Sequence, residues 1–172
     1  MAPAVTETAA DLLMLLIVWH SRTGAAEQMA AAALRGAAGE GAALSIAAAA
    51  AAPADVLAAQ GYLFVCPENL GTMSGAMKEF FDRCYYPLLG QIEGRAFATA
   101  ISAGSDGSGA ERQIERIATG WRLRRIAPGL IVNLGAQTPE EILAAKTVPA
   151  PALQNCHDLG QSFGAGLAMG AF

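Results

Sequence analysis

Residues 12–24 read Leu-Leu-Met-Leu-Leu-Ile-Val-Trp-His-Ser-Arg-Thr-Gly, and this stretch decides the fold. An apolar run without alternation is typical of a strand covered on both faces, as in a parallel sheet. The run 12–19 is therefore predicted to be the first strand. A polar loop, Ser21 to Gly24, follows it, and Thr23 is predicted to cap a helix that ends at Gly36.

The rest of the chain alternates apolar runs with segments of helical period. Further strands are predicted at residues 43–48, 62–66, 95–102 and 130–134, and Pro67 is predicted to end the third strand. The clearest helices begin at Ser74 and, for the last one, at Pro151. Such alternation with short connections predicts an α/β fold of three layers, whose five-stranded parallel sheet has the order 2-1-3-4-5.

Sheets of this order bind ligands beyond the carboxyl ends of their strands, where the strand order reverses. The loops expected there comprise residues 20–25, 67–73 and 103–109. The first loop offers the hydroxyls of Ser21 and Thr23 and the backbone N–H groups from Arg22 to Ala26, a donor set that suits a phosphate monoester. The alternative is an ordinary turn with a threonine cap.

The second and third loops contain glycine and extended segments that allow close approach of backbone to a planar ligand. In the second loop, the side chain of Asn69 and nearby amides are candidates to bond the edge of a heterocycle. The alternative is a polar loop of the kind that any α/β protein shows. The third loop contains three glycines between Ser102 and Gly109, which suggests a backbone wrapped on a ligand.

Composition excludes several classes of function. A chain of 172 residues with 53% hydrophobic residues fits one domain, predicted to span residues 12–172 after a disordered tail at 1–11. A net charge of −4 leaves no basic stripe for nucleic acid. The run 12–19 is too short to cross a membrane. The three cysteines lack zinc-site spacing and are interpreted as buried thiols, so we predict a cytoplasmic protein without a metal site.

The loops resemble those of a known superfamily. The Ser-Arg-Thr-Gly loop looks like the phosphate loop of flavodoxins, although Ala26 stands where a third hydroxyl residue is usual. Residues 67–83, Pro-Glu-Asn-Leu-Gly-Thr-Met-Ser-Gly-Ala-Met-Lys-Glu-Phe-Phe-Asp-Arg, are similar to NAD(P)H-dependent FMN reductases and flavodoxin-like quinone reductases, in which a loop starting with proline carries the flavin ring. Residues 102–109 correspond in position to the second ring-binding loop of that family.

The resemblance covers roughly residues 12–165 and implies a flavodoxin-like fold that binds FMN. It further implies that electrons pass from NAD(P)H through the flavin to a quinone, a free flavin or another small acceptor, with no protein side chain required as a catalyst. A homodimer or homotetramer is implied as well. The implied cofactor-binding residues are Ser21, Arg22, Thr23, Gly24, Ala25, Ala26, Pro67, Glu68, Asn69, Leu70, Gly71, Thr72, Met73, Ser102, Ala103, Gly104, Ser105 and Gly107.

Two alternatives stay open at this point. One is a flavodoxin-type electron carrier without nicotinamide activity, and the other is a flavin-free structural or regulatory domain with the same fold. Flavodoxins that only carry electrons usually sandwich the ring between aromatic side chains, and residues 67–73 and 103–109 contain none. That absence favours a reductase, because an open ring face leaves room for a nicotinamide or quinone. The alternative is that an aromatic side chain from another loop or from a second subunit covers the ring.

Overall fold

The structure, a computed structural model, describes residues 14–172, in which strands and helices alternate along the chain. The strands are β1 (Leu15–Trp19), β2 (Ala43–Ala47), β3 (Gly61–Asn69), β4 (Thr72–Met73), β5 (Ala96–Ala103), β6 (Arg124–Arg125) and β7 (Leu130–Asn133). The helices are α1 (Ala25–Ala38), α2 (Pro53–Ala58), α3 (Gly75–Leu88), α4 (Ser108–Gly120), α5 (Pro139–Leu143) and α6 (Ala150–Ala168). The predicted tail at 1–11 lies outside the described residues.

One sheet organises the chain, in the order β2-β1-β3-β5, with both β6 and β7 pairing with the outer side of β5. All of these pairs are parallel. The β6 strand pairs with the start of β5 and β7 with its end, so the two together occupy the fifth position of the predicted order. The sequence prediction of an α/β parallel sheet is confirmed, and the short elements α2, β6 and α5 were not anticipated.

Two apolar layers cover the sheet, because successive side chains of a strand point to opposite faces. Leu16 and Val18 belong to one core with α3 and α4, whereas Leu15 and Ile17 belong to the other core with α1 and α6. The helix predicted from Ser74 is confirmed, with its expected apolar residues buried, namely Met77, Phe80, Phe81 and Cys84. The result is the predicted three-layer arrangement.

The prediction that Pro67 ends the third strand is wrong, because β3 continues to Asn69. The last residue of β1 that pairs with β3 is Trp19, opposite Val65. Beyond Val65, β3 no longer pairs with β1, so the missing N–H of Pro67 leaves no hydrogen bond to β1 unmade. The strand then turns into β4, with which it pairs in antiparallel fashion.

Two details of the first helix also differ from prediction. Gly24, not Thr23, occupies the position before α1, and no side chain caps that end. The φ angle of Gly24 is +96°, in the left-handed region that glycine tolerates. Gly36 does not end α1, because the helix continues to Ala38 and Gly36 packs against the backbone of α6.

The three cysteines are buried thiols, as interpreted from the sequence. Burial raises the pKa of Cys66 to about 12 and that of Cys156 to about 11, which keeps both thiols protonated near neutral pH. None of the helices that the structure describes is long and apolar enough to span a bilayer. Within residues 14–172, no group of three or more His, Cys, Asp or Glu side chains is placed to hold a metal ion.

Candidate functional site

A cavity of about 320 Å³ lies at the carboxyl ends of the central strands. It is bordered by the first loop after β1, the turn between β3 and β4, the loop after β5, and a segment after β7. Its lining residues are Arg22, Thr23, Ala25, Pro67, Glu68, Asn69, Leu70, Gly71, Ser102, Ala103, Gly104, Ser105, Leu134, Ala136, Ile142 and Lys146. The three loops singled out from the sequence therefore meet around one cavity.

Most of the predicted site residues border this cavity. Those that do not are Ser21, Gly24, Ala26, Thr72, Met73 and Gly107. Ala26 and Met73 are buried in the two cores instead. The segment 134–146 also borders the cavity, which was not predicted from the sequence. It follows the carboxyl end of the outermost strand, which is also a place from which loops reach a ligand site of this kind of sheet.

The first turn of α1, which reaches the cavity at Ala25, has unpaired donors. The described residues provide no hydrogen-bond acceptor for the backbone N–H groups of Ala25, Ala26 and Glu27, and no side chain caps α1. The Gly24 N–H donates to Ser21 Oγ over 3.0 Å, which holds the loop in its turn. Three such N–H groups at the positive end of a helix dipole are the kind of donors that an anion requires.

The second loop is a β-hairpin turn rather than an irregular loop. Leu70 and Gly71 have φ angles of +53° and +75°, as a two-residue turn with left-handed residues requires. Leu70 is 94% exposed at the tip of the turn. The Arg22 side chain donates to Asn69 Oδ1 over 3.3 Å, which connects the first loop to the hairpin across the cavity.

The third loop is fastened by a carboxylate from the hairpin. Glu68 Oε1 accepts from the N–H of Gly107 at 3.0 Å, and Glu68 Oε2 accepts from those of Gly109 and Ala110 at 2.9 and 3.1 Å. The remaining N–H of this helix end, that of Ser108, donates to Asp106 Oδ1 over 3.2 Å. The first turn of α4 therefore has an acceptor for each of these donors, in contrast with α1.

The glycines of the third loop have packing reasons. A Cβ at Gly104 would lie 2.4 Å from the carbonyl oxygen of Ala136, and one at Gly109 would lie 1.9 Å from that of Gly71. Gly107 has a φ angle of +96°. Close backbone approach and backbone conformation require these glycines within the chain itself, a reason that the sequence interpretation did not consider.

The segment 134–148 forms a wall that is fastened to the first loop. Gln28 donates to the carbonyl of Lys146 over 2.8 Å and accepts from the Val148 N–H over 3.0 Å, and the Lys146 N–H donates to the Thr23 carbonyl over 2.9 Å. The local sequence signal for this wall is Thr138-Pro-Glu-Glu141, a capping box that begins α5.

His20 lies behind the cavity rather than in it. Its ring Nδ1 is 2.8 Å from Ser74 Oγ, and its backbone N–H donates to the Val65 carbonyl over 3.0 Å. These bonds join the end of β1 to β3 and to the start of α3. Burial, and secondarily the nearby charge of Arg22, lower the pKa of His20 from the usual 6.5.

We expect His20 to make the folded state less stable in mild acid. Since the folded protein resists protonation of His20 and the unfolded chain does not, stability is lost as the pH falls below about 6.5. His20→Gln, which keeps a polar group for Ser74, should remove part of that loss in urea unfolding measured across this pH range. His157→Gln is the matched control, because the half-buried His157 lies on α6 and its pair with Asp158 makes no contact with His20 or Ser74. An unchanged pH dependence for His20→Gln would contradict the prediction.

Comparison with known protein families identifies the fold and its relatives. The family model described as NADPH-dependent FMN reductase matches residues 40–137, more than half of the chain. The protein belongs to this family. A comparison with curated protein sequences gave no match.

Solved structures similar to this FMN reductase family member have the flavodoxin-like fold. A flavodoxin from the domain Archaea superposes with a TM-score of 0.74 at 17% identity, covering 90% of this chain and 98% of that chain. A flavodoxin, WrbA-like protein from Agrobacterium tumefaciens gives a TM-score of 0.62 at 22% identity, covering 92% and 96%. The flavodiiron protein from Giardia intestinalis gives 0.70 at 16% identity, and this chain spans 36% of its length.

The residues of the site suit the cofactor that the family name implies. A phosphate monoester needs several convergent donors, and the first turn of α1 supplies three N–H groups without an acceptor among the described residues, beside the hydroxyl of Thr23. Arg22 adds a cationic side chain at the same border. The chain is thus a flavodoxin-like flavoprotein of the FMN reductase family.

Proposed function

We propose that this protein binds FMN in the cavity and catalyses the NAD(P)H-dependent reduction of a small acceptor such as a quinone or a free flavin. Bound FMN supplies the hydride chemistry, and the protein supplies binding and orientation. The observation that carries the proposal is the difference between the two helix ends at the cavity. The donors of α1 lack acceptors among the described residues, whereas those of α4 are bound by Glu68 and Asp106.

This difference supports one orientation of the cofactor. A dianionic phosphate is stabilised where N–H groups are free to donate to it, which favours α1. At α4, the carboxylate of Glu68 already occupies the donors and would repel a second anion. We therefore propose that the phosphate lies against residues 21–26 and that the ring lies between the hairpin and residues 102–105. Backbone groups of Asn69 and Gly71 would then border the ring edge.

The lining of the cavity supports a reductase over an electron carrier. Across the described part of the chain, none of the residues that line the cavity is aromatic. An isoalloxazine ring held there has a face without a stacked side chain, onto which a nicotinamide or quinone can pack. The lining also includes three aliphatic side chains, Leu70, Leu134 and Ile142, which can contact an apolar ring system.

The test is nicotinamide oxidation by the FMN-loaded protein. NADH and NADPH are each mixed with the protein and a quinone, and oxidation is followed by absorbance against flavin-free protein. We expect oxidation of at least one nicotinamide that depends on bound FMN. If the protein binds FMN but oxidises neither NADH nor NADPH with any acceptor tested, the reductase proposal is overturned in favour of an electron carrier. A colourless protein without affinity for FMN would overturn both.

A matched pair of variants tests the open face. Leu70→Trp places an indole at the exposed tip of the hairpin, where it can stack on the ring, and should lower nicotinamide oxidation about tenfold while FMN remains bound. Leu89→Trp is the control, because Leu89 is also exposed but lies after α3, at the opposite end of the sheet. Equal effects of the two variants would contradict access through this face.

Two further expectations belong to the same proposal. The family resemblance implies a homodimer or homotetramer, which light scattering during size-exclusion chromatography measures directly. A cytoplasmic location also remains a prediction. Fluorescence microscopy of the tagged protein would test it.

A further inference from the structure

We propose that Glu68 is a positioning residue that locks the hairpin to the first turn of α4 and so fixes the spacing of the two ring-binding loops. The inference rests on the proposed function, because it assigns this role toward bound FMN. It goes further by naming a carboxylate that acts through backbone amides, with no part in binding the phosphate.

The geometry shows a cap supplied from a distant part of the chain. Gly107, which precedes α4, has no side chain to cap the helix, and no other side chain of its own segment bonds the N–H groups of Gly109 and Ala110. Glu68, placed on β3, bonds both of these and the N–H of Gly107 at 2.9–3.1 Å. Hydrogen bonds to an ionised carboxylate are stronger than those between neutral groups, and the negative charge of the carboxylate also complements the positive end of the helix dipole.

Packing around Glu68 leaves little freedom between hairpin and helix. A Cβ at Gly109 would lie 1.9 Å from the Gly71 carbonyl oxygen, so the backbones of the turn and of α4 are in direct contact. A second bond runs from the Met73 N–H to Gln113 Oε1 over 2.9 Å. The hairpin is thus bonded to α4 at both of its strands. Without the Glu68 bonds, the Met73 bond would be the one hydrogen bond left between the hairpin and α4 among the described residues.

Consequently Glu68 acts on the ring side of the cavity. Its partners lie in the third loop and its neighbours Asn69 to Gly71 form the second, whereas the anion site lies at α1. A defect in the spacing of these loops should weaken FMN and riboflavin by the same factor, because both molecules carry the same ring. That equality separates Glu68 from residues that bind the phosphate.

The first arm of the test uses the flavin-free protein. Amide hydrogen exchange is measured by NMR in the wild-type chain and in Glu68→Gln and Glu68→Ala. Exchange at Gly107, Gly109 and Ala110 should rise about tenfold in Glu68→Ala and less in Glu68→Gln, which retains one carbonyl oxygen. The interior of α4, at Ile114 and Ala118, reports whether the fold is kept. Glu93→Gln, at the opposite end of the sheet, is the control.

The second arm measures the affinity of the same variants for FMN and for riboflavin. We expect both affinities to fall about tenfold in Glu68→Ala, with neither changed in Glu93→Gln. Unchanged exchange at the three amides would overturn the assignment of the bonds. Faster exchange with unchanged flavin affinities would overturn the positioning role. If the wild-type chain binds neither flavin while exchange responds to Glu68, the proposed function fails and the inferred role toward the ring fails with it, whereas the cap itself stands.

If Glu68→Ala does not fold, the test uses Glu68→Gln, because this substitution replaces one carboxylate oxygen by an NH₂ group without changing the size of the side chain. Its amide NH₂ faces N–H groups, so at least one of the three bonds must be lost. Wild-type exchange and wild-type affinities in this variant would overturn the proposal.

Discussion

Replacing Ser21 by alanine and Thr23 by valine together is expected to weaken FMN binding about 100-fold and riboflavin binding less than about threefold. Thr23 lines the cavity beside the unpaired N–H groups of α1. Valine keeps its shape and removes the hydroxyl that can donate to a phosphate. Ser21 holds the Gly24 N–H, and alanine in its place loosens the turn that presents those donors.

The size of the effect follows from the charge on the ligand. A hydrogen bond to an ionised group contributes about 1.5–3 kcal/mol, and about 1.4 kcal/mol corresponds to a factor of ten in affinity. Riboflavin lacks the phosphate, so it does not lose such a bond. The ratio of the two dissociation constants, measured by fluorescence titration, therefore reports on the phosphate alone.

A matched control combines Ser45→Ala with Thr119→Val, which removes the same chemical groups from β2 and from the end of α4, away from the cavity. FMN and riboflavin should bind this double variant as they bind the wild-type protein. If the Ser21 and Thr23 variant loses both ligands equally, the phosphate does not bind at α1. Loss of neither ligand would place the flavin elsewhere on the chain.

Local pattern was sufficient to predict the main elements of the fold. The unbroken apolar run of β1 and the helical period of α3 each reflect burial that neighbours along the chain already specify. The extension of β3 beyond Pro67 could not be predicted in this way. It depends on where β1 stops pairing, which is a property of two strands and not of either one.

The candidate site likewise has a part that could be predicted from the sequence and a part that could not. The three loops were placed at one cavity from strand order alone, because the carboxyl ends of parallel strands share an edge. By contrast, the bonds of Glu68 to α4 span about 40 residues of sequence, and Gly109 is required by contact with Gly71. Such pairings arise only when the loops are folded together. The close approach that the glycine-rich loop indicated is found within this chain's own backbone at Gly104 and Gly109, and contact of this loop with a ligand stays a prediction.

Gly160→Ala is expected to lower the free energy of unfolding by about 2–3 kcal/mol, a large share of the stability of a domain of this size. Gly160 lies where α6 crosses α1. An added Cβ would lie 2.0 Å from the carbonyl oxygen of Ala33 and 2.8 Å from its Cα. Since the obstructing atoms are backbone atoms, no side-chain rotation relieves the overlap.

The backbones of α1 and α6 are equally close at a second point, because a Cβ at Gly36 would lie 2.0 Å from the carbonyl oxygen of His157. A shift of one helix along the other therefore does not make room for the added methyl group. The two helices must therefore separate, and the core beneath them, which includes Phe163 and Met29, must open. Alanine is favoured over glycine in a helix by about 1 kcal/mol, so the expected loss of stability is the packing cost less this gain.

A graded series of the same substitution makes the cause measurable in urea unfolding. At Gly164 the Cβ would lie 3.2 Å from the Ala37 carbonyl oxygen, so Gly164→Ala should cost about 1 kcal/mol or less. At Gly75, the first residue of α3, nothing lies within 4 Å, and Gly75→Ala should change stability by less than about 0.5 kcal/mol. Equal stability of all three variants would mean that α1 and α6 are not in backbone contact. The order Gly160, Gly164, Gly75 is expected because the overlap with backbone atoms decreases in that order.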